Sequence, residues 1–213
     1  MIYFTSDLHL LHKNVIKYCY RPYSNINQHD NDIISNINNI VKPDDTLIIV
    51  GDVSIASKRQ IRKVIQRIKC ENIILVRGNH DNKSSLPRDC FTLVVDRLNM
   101  TINGQSVLIC HYPYRFSWWR HWIHRLRYKS PRYRERRPRD NGEFLIHGHT
   151  HSNGKTIGRM LHVGVDAWDM KPVSQAKIEQ LIAKQLQQEK NKRNWLLRKC
   201  KYLWQKIRFV RQK

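Results

Sequence analysis

Aspartate, histidine and asparagine recur along this chain in short groups, each at the end of an apolar run. Asp7 and His9 follow Ile2 to Ser6, and Asp52 follows Thr46 to Val50. Asn79, His80 and Asp81 follow Asn72 to Val76. His111 follows Ser106 to Cys110, and His149 and His151 follow Phe144 to Ile146. Carboxylate, imidazole and amide oxygen suit borderline and harder divalent ions, with Mn²⁺ the first expectation and Fe²⁺, Zn²⁺ or Ni²⁺ also admitted. No thiolate lies in the groups, which argues against a structural cysteine-zinc site. The donors are too many for one ion with an open position. Two ions sharing a carboxylate account for them better. A pair about 3.5–4 Å apart can bind both oxygens of a phosphoryl group and hold a hydroxide for in-line attack.

The apolar runs are the elements that must bring these groups together. Ile2 to Ser6, Thr46 to Val50 and Asn72 to Val76 read as buried strands. Between them, residues 28–41 and the run Ile61, Val64, Ile65, Ile68 carry apolar side chains at helical spacing. Phe91 to Val95, Leu98 to Ile102 and Ser106 to Cys110 read as three further strands, with Asn103-Gly104 as a hairpin turn. Phe144 to Ile146 and Met160 to Val165 complete the strands, and a long polar helix starts at Ser174. The order predicts a mixed α/β chain, parallel at first and antiparallel later. In open α/β sheets the carboxyl ends of strands line the ligand crevice, so five strand ends aim at one place.

Asp7-x-His9, Gly51-Asp52, Gly78-Asn79-His80-Asp81, His111 and Gly148-His149-Thr150-His151 resemble the motif set of the calcineurin-like metallophosphoesterases. The resemblance runs from Met1 to about Pro172. It is strongest with small bacterial and phage phosphoesterases, which share His12-x-Asn14 through Arg21-Pro22 and Val163 to Asp166. It implies two mixed β-sheets packed as a sandwich, flanked by α-helices. It implies that Asp7, His9 and His151 hold one metal, that Asn79, His111 and His149 hold the second, and that Asp52 bridges them. His80 is then the general acid or transition-state stabiliser, with Asp81 orienting its ring. His12, Asn14 and Arg21 stand where they could touch substrate phosphate, although Arg21 could equally cap the short helix. His147 is expected to make a supporting hydrogen bond, and Asp166 to support the site or to be a turn residue.

The divisions expected are a domain over residues 1–173 with a basic, aromatic insertion at 114–141, then a helical basic tail over 174–213. The net charge of +22 favours polyanions: nucleic acid, phosphorylated small molecules or an anionic membrane surface. Arginines interleaved with Trp118, Trp119 and Trp122 make the insertion a candidate lid that grips phosphates and stacks bases. The same composition suits a membrane interface or a solvated loop. In the tail, Leu196, Cys200, Leu203, Ile207 and Val210 follow helical spacing among lysines and arginines. Five cysteines, odd in number and without a C-x-x-C pair, argue against a disulfide framework. With no signal peptide and no apolar run near the ~20 residues needed to span a bilayer, the expected place is the cytoplasm, with peripheral membrane contact open. The leading expectation is a phosphodiesterase acting on nucleotides or nucleic acid. The alternatives are a membrane-surface hydrolase of a lipid-linked nucleotide, a phosphomonoesterase, and a non-catalytic binding protein. Enzymes of the second kind resemble this chain in the first and last motifs but carry arginine where it has His80.

Overall fold

The computed structural model of the chain describes residues 1–115 and 133–210, with side chains as far as residue 200. One sheet holds β1 (Ile2–Thr5), β2 (Thr46–Ile49), β3 (Asn72–Val76) and β4 (Leu93–Val95), all parallel. The other holds β5 (Leu98–Ile102), β6 (Gln105–Ile109), β7 (Phe144–His147), β8 (Thr156–Ile157) and β9 (Met160–His162) in the order β5-β6-β7-β9-β8. β10 (Val173–Ser174) returns to the first sheet, antiparallel to β1.

Alternation along the central strands explains the layers. Leu47 and Ile49 join Ile73 and Leu75 on one face, where they meet Ile33, Ile34 and Ile37 and Ile61, Val64 and Ile65. Those residues line α2 (Ile26–Ile40) and α3 (Lys58–Ile65). Ile48 and Val50 point the other way and meet Val107, Ile109, Phe144 and Ile146 of the second sheet. The middle strands are buried on both faces, which is why they read as unbroken apolar runs. α2 starts where the Asn25 side chain accepts a hydrogen bond from Gln28 N, and α3 where Ser57 and Gln60 form a capping box.

Three details depart from the reading of the sequence. β4 belongs to the first sheet, parallel to β3. The second sheet is mixed, as the resemblance implied, with β6–β7 and β7–β9 parallel where the order of elements alone predicted antiparallel strands. A parallel pair needs a long crossover, and the segments that join these strands supply one. β8 and β10 have two residues each, too short for an alternation to register. α1 (Lys13–Tyr18) is the short helix expected after the first motif. α4 (Gln175–Val210) buries Ile178 and Ile182 at the sandwich. Glu189 then takes both arms of Arg159, at 2.9 and 2.6 Å. Beyond it residues 190–200 are exposed, Trp195, Leu196 and Leu197 among them. No helix is long and apolar enough to cross a membrane among the described residues. The tryptophans of the insertion, with Arg120, Arg125, Arg127 and Arg132, lie outside the described residues.

Candidate metal centre

The strand ends turn sharply. Asp7, His9, Asp52, His149 and His151 all have positive φ, at 58°, 49°, 57°, 70° and 48°. Non-glycine residues adopt this region at a cost, and such strain gathers where a site dictates the backbone. Glycine is required at the neighbouring positions by close approach. A Cβ at Gly148 would collide with Ser6 Oγ and Asp7 Oδ2, and one at Gly78 with the Asp52 carboxylate.

The turns bring the donors into two sets that meet at Asp52. In one, Asp7, His9 and His151 gather, with His151 Nε2 3.8 Å from Asp7 Oδ1. In the other, Asp52, His111 and His149 gather, and Asn79 Oδ1 stands 3.2 Å from His111 Nε2. Asp52 Oδ2 lies 3.6 Å from His9 Nε2 and 3.4 Å from His111 Nε2, between the sets. The donor set fits divalent ions, and His9 supplies a direct sign. Its Nε2 is buried without a hydrogen-bond partner among the described residues, a costly state for a polar atom unless something binds it. His149 Nδ1 and His111 Nε2 face each other at 3.2 Å, a geometry that a cation between them would explain.

The other nitrogens are held by supporting bonds, which fix each ring's orientation. His111 Nδ1 lies 2.8 Å from Val50 O, and His151 Nδ1 lies 2.8 Å from Asp166 Oδ2. Asp7 accepts from Ser6 Oγ at 2.8 Å and from His149 N at 2.9 Å. His80 N donates to Asp52 Oδ1 at 2.9 Å. Burial pushes His111 down, but Asp52 outweighs it and holds the ring up at about 9. Burial likewise opposes the charged form of His151, and its bond to Asp166 lifts it to about 10. Burial and the neighbouring His111 lower His149 to about 3. Asp52 stays ionised despite burial because His111 and His9 draw its carboxyl below the usual range. His111 and His151 would each give up a proton on holding a cation.

Two residues stand elsewhere than the sequence suggested. Arg21 was a candidate for substrate phosphate, but its guanidinium is buried and saturated. It donates to Asp166 at 2.8 and 3.0 Å, to Leu8 O at 3.0 Å and to Asp7 O at 2.7 Å, and lies 2.8 Å from His29 Nε2. A planar five-donor fork suits this role, and it positions the first motif rather than meeting substrate. Asp81 does not orient the His80 ring. Its carboxylate accepts from Asp52 N, Val53 N and Gly78 N at 2.8, 2.9 and 2.8 Å and so ties two motif loops together.

His80 stands at the mouth, 40% exposed, with its Nε2 4.0 Å from Asp52 Oδ2. His12 Nδ1 is 3.2 Å from His9 Nδ1, on the same side as His80. Asn14 is exposed in the first turn of α1. His147 is buried with Nδ1 2.8 Å from Gly148 O, and its ring lies 5.3 Å from that of His162. The sequence reading missed His29 and Asp30. Asp30 receives Leu11 N and binds His29 Nδ1, so α2 reaches the centre through His29, Arg21 and Asp166. A His-Asp pair on the otherwise apolar buried face of α2 was the available signal. Tyr112 was also missed; its ring packs 5.1 Å from both His111 and His149.

Two donor sets joined by one carboxylate, at the carboxyl ends of sandwich strands, could hold metal ions and are arranged as in a phosphoesterase. The model of the calcineurin-like phosphoesterase superfamily domain matches residues 1–164, and the chain belongs to that superfamily. The chain is 31% identical over 205 residues to the Gene 66 protein of Mycobacterium phage L5, covering 84% of this chain and 93% of that one. An uncharacterised protein of Methanocaldococcus jannaschii is 29% identical over 197 residues, covering 86% and 92%. Among solved structures, a protein of unknown function from Aquifex aeolicus aligns with TM-score 0.67 and 26% identity, over 85% of this chain and 98% of that one.

Proposed function

We propose that the chain is a dinuclear-metal phosphodiesterase acting on nucleotides or nucleic acid. The observation that carries this reading is Asp52 Oδ2, which serves both donor sets at 3.6 and 3.4 Å. Asp7, His9 and His151 would hold one ion, and Asn79, His111 and His149 the other. Two ions bound there supply a deprotonated water at neutral pH and a clamp on the phosphoryl oxygens. His80 is the group at the mouth that is free to meet the ester. It gives a proton to the leaving oxygen, or a hydrogen bond to the charge that develops there, as the bond to phosphorus breaks. His12 shares that wall, and Asn14 is a further contact for the substrate.

The test is turnover of bis-p-nitrophenyl phosphate after loading with Mn²⁺, with Fe²⁺, Zn²⁺ and Ni²⁺ compared. Two ions per chain by elemental analysis and hydrolysis of the diester are expected. Asp52→Asn loses both. His80→Ala keeps both ions and lowers kcat by about 10²–10⁴-fold. Turnover of p-nitrophenyl phosphate without the diester would overturn the diester assignment.

A further inference from the structure

The second donor set lies between two cavities. One, of about 850 Å³, has His149 and Thr150 on its wall and runs along β8 and β9 to Tyr114 and Arg115. The other, of about 620 Å³, has Asn79 on its wall and runs along Arg77, Lys83 and Arg97. His149 Nδ1 and Asn79 Oδ1 are each 3.2 Å from His111 Nε2, so one wall residue of each cavity reaches the second donor set. Each is the size of an ordinary small-molecule site.

Both are walled by cations. Arg115, Arg137, Arg139 and Arg159 line the first, and Arg77, Lys83, Arg97 and Arg136 the second. Some of this charge is committed within the fold. Arg159 is held by Glu189, and Arg77 pairs with Asp96. Arg139 and Lys83 are exposed and make no hydrogen bond or ion pair among the described residues, and exposed Arg97 donates to Arg136 O at 3.3 Å and also bonds the Cys110 thiol. The acids on the walls are fewer than the cations. Asp96 is the partner of Arg77, Asp81 is saturated by backbone N–H groups, and Asp140, beside Arg139 in the first cavity, accepts from Gly142 N. An aromatic ring stands near the junction. Tyr133 is 38% exposed, 5.6 Å from the His149 ring and 5.7 Å from the Tyr112 ring.

A phosphomonoester has one substituent and would fill one cavity. A phosphodiester has two. Cationic walls on both sides call for negative charge on both substituents, which is the property of an internal linkage in a polynucleotide. An exposed aromatic near the junction is the usual platform for an unpaired base. We infer that the two cavities are the two arms of one groove for a single nucleic-acid strand. The scissile phosphate lies at the metal centre and a neighbouring phosphate in each arm, one met by Arg139 and the other by Lys83 and Arg97. This rests on the phosphodiesterase reading and narrows its substrate to a single strand bound on both sides of the scissile phosphate.

The test separates the two. A fluorescent thymidine hexanucleotide with a neutral methylphosphonate at its middle linkage faces Asp7 and Asp52 without repulsion and resists hydrolysis. Its binding to the full, metal-free chain is followed by anisotropy over a range of salt. Each phosphate contact on a single strand contributes a slope of about 0.7 in log Kd against log salt. Arg139→Gln, and separately Lys83→Gln with Arg97→Gln, are each expected to weaken binding about tenfold and to reduce the slope by about 0.7. A strand with charged phosphates on only one side should lose its sensitivity to one of the two variants. Equal binding of the one-sided strand and the full strand, or slopes unchanged in the variants, overturns the groove, even if the loaded enzyme hydrolyses bis-p-nitrophenyl phosphate. Salt-dependent binding that responds to both variants, without metal-dependent turnover, upholds the groove and removes the phosphodiesterase reading.

Discussion

At the scale of single residues, the site is a set of ligands and a larger set of residues that aim them. Asp166 shows the distinction. It touches no other candidate ligand, yet it holds His151 Nδ1 at 2.8 Å and grips Arg21, which holds the carbonyls of Asp7 and Leu8. One carboxylate therefore fixes a ring of the last motif and the backbone of the first. Supporting partners of this kind typically govern metal affinity by about 10–100-fold. Asp166→Asn is accordingly expected to weaken metal binding by about that factor, measured by competition with a chelating dye. His80→Ala, which removes the group proposed to meet the ester, should leave that affinity unchanged, although His80 also stands near His9 and Asp52.

At the scale of elements, strands deliver the donors and glycines let the loops close on them. Gly148 sits where the loop after β7 passes over Ser6 and Asp7. The atoms that a Cβ would strike include the Asp7 carboxylate oxygen that accepts from His149 N. Gly148→Ala should therefore cost both stability and metal, seen as a lower Tm and less than two ions per chain. Gly142→Ala is the control for a general loss of glycine. Its site has positive φ but open space around it, so it should be destabilised by backbone strain and still bind both ions.

At the scale of the whole molecule, the metal centre is also a point of mechanical closure. Asp7, His9, Asp52 and Asn79 come from the first sheet, and His111, His149 and His151 from the second. An ion that binds the native arrangement and not the unfolded chain stabilises it by mass action, about 2.7 kcal/mol at a hundredfold excess over Kd. Removing metal with a chelator should lower Tm by several degrees, and adding back a twofold molar excess of Mn²⁺ should restore it. A Tm indifferent to chelation would mean that the two sheets are not joined through the donors. The net charge of +22 belongs to this scale too: it draws polyanions toward the chain and leaves their seating to local geometry.

The sequence by itself determined the superfamily, the strands and the Asp, Asn and His residues that end them, because apolar runs that stop at Asp, Asn or His are visible one residue at a time. It also showed the stripe of α2, since helical spacing is a local pattern. Only the tertiary structure decided what lies between the donors. That Arg21 is buried, that Asp81 ties backbone together and that His29 and Asp30 reach the centre depend on contacts between residues far apart in the chain, with no local periodicity to announce them. β4 went to the first sheet for a similar reason, because partner choice is set by which faces must be covered and not by the strand's own residues. The two basic cavities follow the same rule. Their arginines are plain in the sequence, but their placement on either side of one metal position exists only once the two sheets have closed.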